Sequence, residues 1–169
     1  MTRSLHPPLG LTLLLFLGAS GTLLGAWWFE HVMGHVPCKL CLLERWPYYF
    51  GIPTAALCLL TVRRDATGLA IALLLLFGLI FAVSAALGGY HTGVEWGWFE
   101  GPSDCGGGAS LALDAGNLLG AMESTRLVAC NEAGWHFLGL SFAGWNTVVS
   151  AGLVALSLLT IQRLRGAKV

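Results

Sequence analysis

The sequence predicts an all-α integral membrane protein, a bundle of four transmembrane helices with two outer loops that carry paired cysteines. Three observations lead there. The first is composition. Of 169 residues, 56% are hydrophobic and only 11% are charged, whereas a soluble domain carries about 25% charged residues. The second is segmentation. Residues 9–29 and 68–90 contain no charge, and roughly 20 apolar residues suffice to cross about 30 Å of hydrocarbon as a helix. The third is the placement of positive charge. Arg3, Arg63, Arg64, Arg163, Arg165 and Lys168 flank one set of helix ends, and only Lys39, Arg45 and Arg126 fall in the other loops. By the positive-inside rule both termini are cytoplasmic. The formal net charge is zero, so the total points to no charged partner and no nucleic acid.

The expected spans are 9–29, 46–62, 68–90 and 138–161, with outer loops at 30–45 and 91–137. Together they form a single membrane domain over 1–169. Four spans leave little chain for a separate soluble domain. The first span ends in Trp27, Trp28 and Phe29, which suits an aromatic interface belt. A secretory signal peptide is the competing reading of this segment, because Arg3 precedes the apolar run. The run is long for a signal core of about 7–15 residues, and three more apolar segments follow it. In the first outer loop, Pro37 is placed to open a helix, where its missing N–H costs nothing. The second span is short but uncharged. Pro47 and Pro53 early in it predict a kink or a non-ideal first turn. Arg63-Arg64-Asp65 reads as a tight inner turn.

The third span carries small residues, Gly78, Ser84, Ala85 and Ala86, which allow close helix packing. The second outer loop is polar and Gly-rich. Leu111, Leu118, Leu119 and Met122 recur there at loosely helical spacing, consistent with a short helix on the membrane surface or with an irregular loop. The fourth span is interrupted by Ser141, Asn146 and Ser150. Eight of the nine acidic residues lie on the outer side, Asp65 being the exception.

All four paired cysteines fall outside as well. In a bacterium that side is the oxidising periplasm, where disulfides persist. Cys38 and Cys41 form a C-x-x-C at the predicted start of a helix. Cys105 and Cys130 lie in the long loop. The motif has three readings at this stage: half of a zinc site, a structural disulfide, or a redox pair. Structural zinc wants four closed ligands. The second pair is separated by 24 residues, and only His35 and His91 are at hand to complete such a set. A disulfide across Cys38 and Cys41 closes too small a loop to stabilise much through chain entropy.

The redox reading makes sense of the neighbours. On a helix starting near Pro37, residues 38, 41 and 45 share a face. A helix N-terminus and a guanidinium both favour thiolate over thiol, and thiolate is the reactive species in disulfide exchange. Arg45 lies near the membrane surface, where a charge calls for a reason. Its alternative is a snorkelling arginine paired with adjacent Glu44. Cys105 and Cys130 read as a second exchangeable pair, with a plain structural bridge as the alternative. Cys58, deep in the second span, reads as a buried small hydrophobe.

Several stretches resemble the DsbB family. They are Phe29-Glu-His-Val-Met33, Pro37-Cys-Lys-Leu-Cys-Leu-Leu-Glu-Arg45, and Cys130-Asn-Glu-Ala-Gly-Trp-His-Phe-Leu-Gly-Leu-Ser141. Tyr90-His-Thr-Gly-Val-Glu95 and Gly101-Pro-Ser-Asp-Cys105 are similar to a common variant of that family's second loop. The spans match in number and order, so the resemblance covers nearly the whole chain. It implies an inner-membrane four-helix bundle, functional as a monomer, that reoxidises a periplasmic thioredoxin-like DsbA-type protein. It also implies a membrane quinone, ubiquinone or menaquinone, as the electron acceptor.

The resemblance further assigns roles. The partner's thiolate attacks Cys105 and releases Cys130. Cys130 attacks Cys38 and leaves Cys41 as the thiolate facing the quinone. Arg45 stabilises that thiolate and the quinone oxygen. His91, near the outer end of the third span, is a second candidate for the quinone headgroup, and an interfacial histidine without a ligand is its plain alternative. Glu44 is expected to orient Arg45 or to cap locally. The segment 90–102 is richer in Gly and Trp than the family's usual second loop, which leaves room for a dedicated partner. Two rivals remain at this level: a four-span thiol reductase running in the opposite direction, and a non-enzymatic membrane protein with structural disulfides.

Overall fold

A computed structural model describes residues 7–102, 130 and 135–166. Five helices and one small hairpin make up the described chain: α1 (Pro7–His31), α2 (Lys39–Leu43), α3 (Trp46–Arg63), α4 (Thr67–Glu95), β1 (His136–Phe137), β2 (Leu140–Ser141) and α5 (Phe142–Gly166). The long helices α1, α3, α4 and α5 pack as a bundle, with α4 and α5 sharing the largest interface. Helices α1, α4 and α5 are long and apolar enough to cross a membrane. Helix α3 stands where the second span is expected, with 18 residues and Pro53 inside it.

The bundle is apolar on its outside and partly polar within. Leu14, Leu24, Leu75, Leu79, Val148 and Leu158 are exposed, while Thr12, Ser84, Ser150, Ser157 and Thr160 are buried. Apolar lipid gives no reason to hide leucine, so small and hydroxyl-bearing residues take the helix contacts. Ser150 donates to Ser84 at 2.9 Å, and Ser157 donates to the Leu74 carbonyl at 2.8 Å, both between α4 and α5. Leu15, Leu74, Phe77 and Phe81 fill the centre.

The described helices place several expected features more closely. Pro47 lies in the first turn of α3, where its missing N–H is harmless; Pro53 is the proline inside the helix. The third helix does not stop at 90. It runs to Glu95, so His91 belongs to a helix and not to the loop. The last helix begins at Phe142, and residues 138–141 belong to a hairpin with His136 opposite Ser141. Leu138 (φ 51°) and Gly139 (φ 81°) both take the left-handed conformation, as a two-residue hairpin turn of the favoured twist requires. The Trp145 indole donates to the Phe137 carbonyl at 3.0 Å and ties the hairpin to α5. The surface helix considered near 110–122 lies outside the described residues, as does Cys105.

Candidate active site

The C-x-x-C lies where α2 begins. Cys38 is extended (φ −75°, ψ 171°), and its sulfur accepts the Cys41 amide at 3.2 Å, which makes it the N-cap of α2. The helix is only one turn long. It ends at Leu43, and Arg45 caps the next helix. The expected continuous face of 38, 41 and 45 is therefore broken, because the chain restarts as α3 at Trp46-Pro47. Glu44 and Arg45, neighbours in sequence, turn to opposite partners.

Arg45 pairs with Glu30 at the end of α1. Glu44, expected beside Arg45, instead accepts His91 Nδ1 at 2.6 Å and Asn146 Nδ2 at 2.9 Å. The Asn146 oxygen in turn accepts the Tyr48 hydroxyl at 2.6 Å. A three-helix polar network thus closes around a carboxyl that is only 8% exposed. Burial pushes the Glu44 carboxyl above the usual carboxylate range, and the His91 hydrogen bond works against that rise. Glu95, on the same face of α4, accepts the Ser141 hydroxyl, which also accepts the Gly144 amide at 3.2 Å.

Cys38 and Cys41 are free thiols with sulfurs 2.7 Å apart. The Cys38 sulfur also lies 3.6 Å from His91 Nε2. The hydrogen bond from Cys41, with His91 adding to it, holds the Cys38 thiol down at about 4 against the opposing effect of burial. The same shared proton and burial hold the Cys41 thiol well above its ordinary range. The two sulfurs therefore behave as a pair with one anionic site between them, and Cys38 carries the charge.

Cys130 is disulfide-bonded. It is buried in one cluster with Cys38, Leu40 and Val94. The second cysteine pair thus contributes a residue to the same buried cluster as the first. Cys58 is also free, 1% exposed in the bundle interior, consistent with the small-hydrophobe reading.

A cavity of about 200 Å³ opens beside these groups. Leu23, Ala26, Phe29, Phe142, Trp145 and Val149 form its apolar walls, and Cys38, Cys41, Glu44, Arg45, Tyr48, His91 and Asn146 supply its polar side. His35 also lines it, packed against Phe29 and Phe142. Of the residues singled out in the sequence, Cys38, Cys41, Arg45 and His91 line this cavity, and Cys130 belongs to the buried cluster that includes Cys38. Glu30, Tyr48, Glu95 and Asn146 join them without having been anticipated. Asn146 was visible only as a polar interruption in an apolar run.

A family model, "Disulfide bond formation protein DsbB", matches residues 9–160. Among curated proteins, "Disulfide bond formation protein B" of Marinobacter nauticus is 32% identical over 158 residues, covering 89% of both chains. The protein of that name from Methylococcus capsulatus is 31% identical over 87% of this chain and 90% of its own. That from Saccharophagus degradans is 29% identical over 86% and 87%. No solved structure matches the chain significantly. With a family match over most of its length and relatives above 30% identity on the same span, the chain belongs to the DsbB family of disulfide bond formation proteins.

Proposed function

We propose that this protein is a disulfide-generating oxidoreductase that reoxidises a periplasmic DsbA-like dithiol protein and passes the electrons to a membrane quinone. One observation carries the reading: a C-x-x-C at the edge of an apolar cavity, with Cys130 in the same buried cluster as its first cysteine and Arg45 lining the cavity. The chain is a single domain of four spans in the bacterial inner membrane, with α3 as the fourth crossing. Its termini are cytoplasmic and its cysteine loops periplasmic, as the positive charges of Arg63, Arg64, Arg163 and Arg165 favour.

The cavity suits a quinone ring. Drug-sized ligands occupy about 300–1,000 Å³, and about 200 Å³ is room for one substituted ring. Aromatic and aliphatic walls face the ring, and a few polar groups converge on one side, as small-molecule sites require. Bound there, the quinone supplies an acceptor for two electrons and two protons. Arg45 would supply a fixed positive charge for its oxygen, and His91 lines the same polar side.

The cysteines carry the relay. The partner's thiolate attacks Cys105, and Cys130 leaves as a thiolate. Cys130 attacks Cys38, and Cys41 is released facing the cavity. Holding Cys130 and Cys38 in one buried cluster lowers the entropic cost of this middle step. A DsbA-like partner is a strong oxidant near about −120 mV, so its reoxidation needs an acceptor of still higher potential. Protein disulfides alone supply no such source, and a respiratory quinone does.

The test is quinone reduction by purified protein with a reduced DsbA-like donor. Cys38→Ala and Cys105→Ala should each abolish turnover. Turnover surviving in either variant would overturn the relay.

A further inference from the structure

Resting on that reading, we infer that Cys38, His91 and Glu44 form a catalytic triad in which His91 Nε2 holds the proton that leaves Cys38 and returns it as the inner pair is reoxidised.

The geometry assigns the hydrogens. Glu44 accepts at both carboxylate oxygens, from His91 Nδ1 at 2.6 Å and Asn146 Nδ2 at 2.9 Å. The orientation of the Asn146 amide is itself fixed, because its oxygen accepts the Tyr48 hydroxyl at 2.6 Å. A carboxylate can only accept, so His91 must donate from Nδ1. That leaves Nε2 as the acceptor, 3.6 Å from the Cys38 sulfur. A nucleophilic sulfur, a base within reach, and a third group that fixes the base's tautomer are the parts of the cysteine and serine triads. Here the three residues come from α2, α4 and the α2–α3 junction. His91 is 2% exposed, so bulk water does not compete for the proton.

The step balances. When both inner thiols are free, the Cys38 S–H bond breaks, its electron pair stays on sulfur, and its proton moves to Nε2. The Cys41 S–H donates to the resulting thiolate across 2.7 Å. On reoxidation by the quinone, the Cys38–Cys41 bond forms and two electrons leave. The Cys41 proton and the His91 Nε2 proton leave with them. Quinone reduction requires those two protons, and the triad keeps one of them inside the protein until it is needed.

Other groups face the triad. Glu95 Oε1 lies 3.9 Å from Nε2. Cys41 faces it from α2 and Tyr48 from α3, and the Arg45–Glu30 pair lines the same cavity. From α5 the facing polar group is Asn146.

The test needs neither partner nor quinone. The full chain, stripped of quinone and reduced, is alkylated with iodoacetamide between pH 6 and 9, and Cys38 modification is followed by mass spectrometry. An ordinary thiol near pKa 8.5 loses about tenfold in rate per pH unit below that value. Wild-type Cys38 should instead react at a nearly constant rate across the range. His91→Gln and Glu44→Gln should each bring back a fall in rate toward pH 6, by about tenfold at that end, while the Cys41 hydrogen bond still lowers the Cys38 thiol in part. Glu44→Asp should keep most of the flat profile. A flat profile in His91→Gln, or an ordinary thiol profile in the wild type, would overturn the triad.

Cys58, 1% exposed, reports folding, since it should be alkylated only when the bundle opens. If His91→Gln exposes Cys58, the wild-type ring-nitrogen resonances of His91 decide. A doubly protonated ring at pH 7 that turns neutral once Cys38 is alkylated supports the triad, and a neutral ring in the reduced protein sinks it. Loss of quinone turnover with these profiles intact would count against the proposed function and leave the triad standing.

Discussion

Arg45 and Glu44 are adjacent, yet they serve different chemistry. The reason is the single-turn length of α2. A helix continuing from 38 would set Arg45 over the cysteines. The restart at Trp46-Pro47 swings Arg45 to Glu30 on α1 and leaves Glu44 on His91. Glu30 fixes the guanidinium where it lines the cavity, at 13% side-chain exposure. Glu30→Gln should raise the quinone KM about fivefold with kcat little changed, the effect of losing an ion pair worth roughly 1 kcal/mol. Arg45→Ala should lower kcat/KM by about 100-fold, since it removes a charge aimed at oxygen that becomes anionic. Steady-state kinetics with a soluble quinone analogue measures both. Equal losses in the two variants would mean that Glu30 acts on catalysis itself. The cysteines were legible in sequence because C-x-x-C is a local pattern. Glu44 was not, because its partner lies 47 residues away.

At the scale of elements, a close approach of α4 to α5 holds the site together. A Cβ at Gly88 would lie 2.6 Å from Thr147 Oγ1, 3.1 Å from the Ala143 carbonyl oxygen and 3.1 Å from Asn146 Nδ2. Helices α4 and α5 can meet this closely only where a side chain is missing. Gly88→Ala should push them apart and destabilise the protein by about 1–3 kcal/mol, as overpacking does. Because the displaced group includes Asn146, the Glu44 network should loosen with it. Thermal unfolding in detergent, combined with the Cys38 alkylation profile, reads both effects. An unchanged melting temperature would show that the interface yields without cost. The spans containing α1, α4 and α5 were legible from uncharged runs of sufficient length. Their ends were not. The five residues 91–95 and the hairpin at 136–141 are too polar or too short to announce themselves by composition. The extension matters, since it turns His91 from a loop residue into a fixed one on α4.

For the whole molecule, orientation follows from charge. In the proposed orientation, with Arg63, Arg64, Arg163 and Arg165 cytoplasmic, Cys38 would face the periplasm and Gly166 the cytoplasm. A membrane-impermeant maleimide should label reduced Cys38 in intact spheroplasts. It should label a Gly166→Cys variant only after permeabilisation. The reverse pattern would refute the proposed topology. The sequence by itself determined the class of protein, its three long apolar spans and the cysteines that are candidates for redox chemistry. These depend on composition and on short-range patterns, which apolar lipid and thiol chemistry make unambiguous. The tertiary structure decided which groups meet. It put Cys130 in one cluster with Cys38, gave Arg45 to Glu30, and drew Glu44, His91, Asn146 and Tyr48 into one buried network. No local signal encodes those pairings, because each joins residues on different helices. They follow from how the helices pack, and burial then forces every polar group at that end to find its partner.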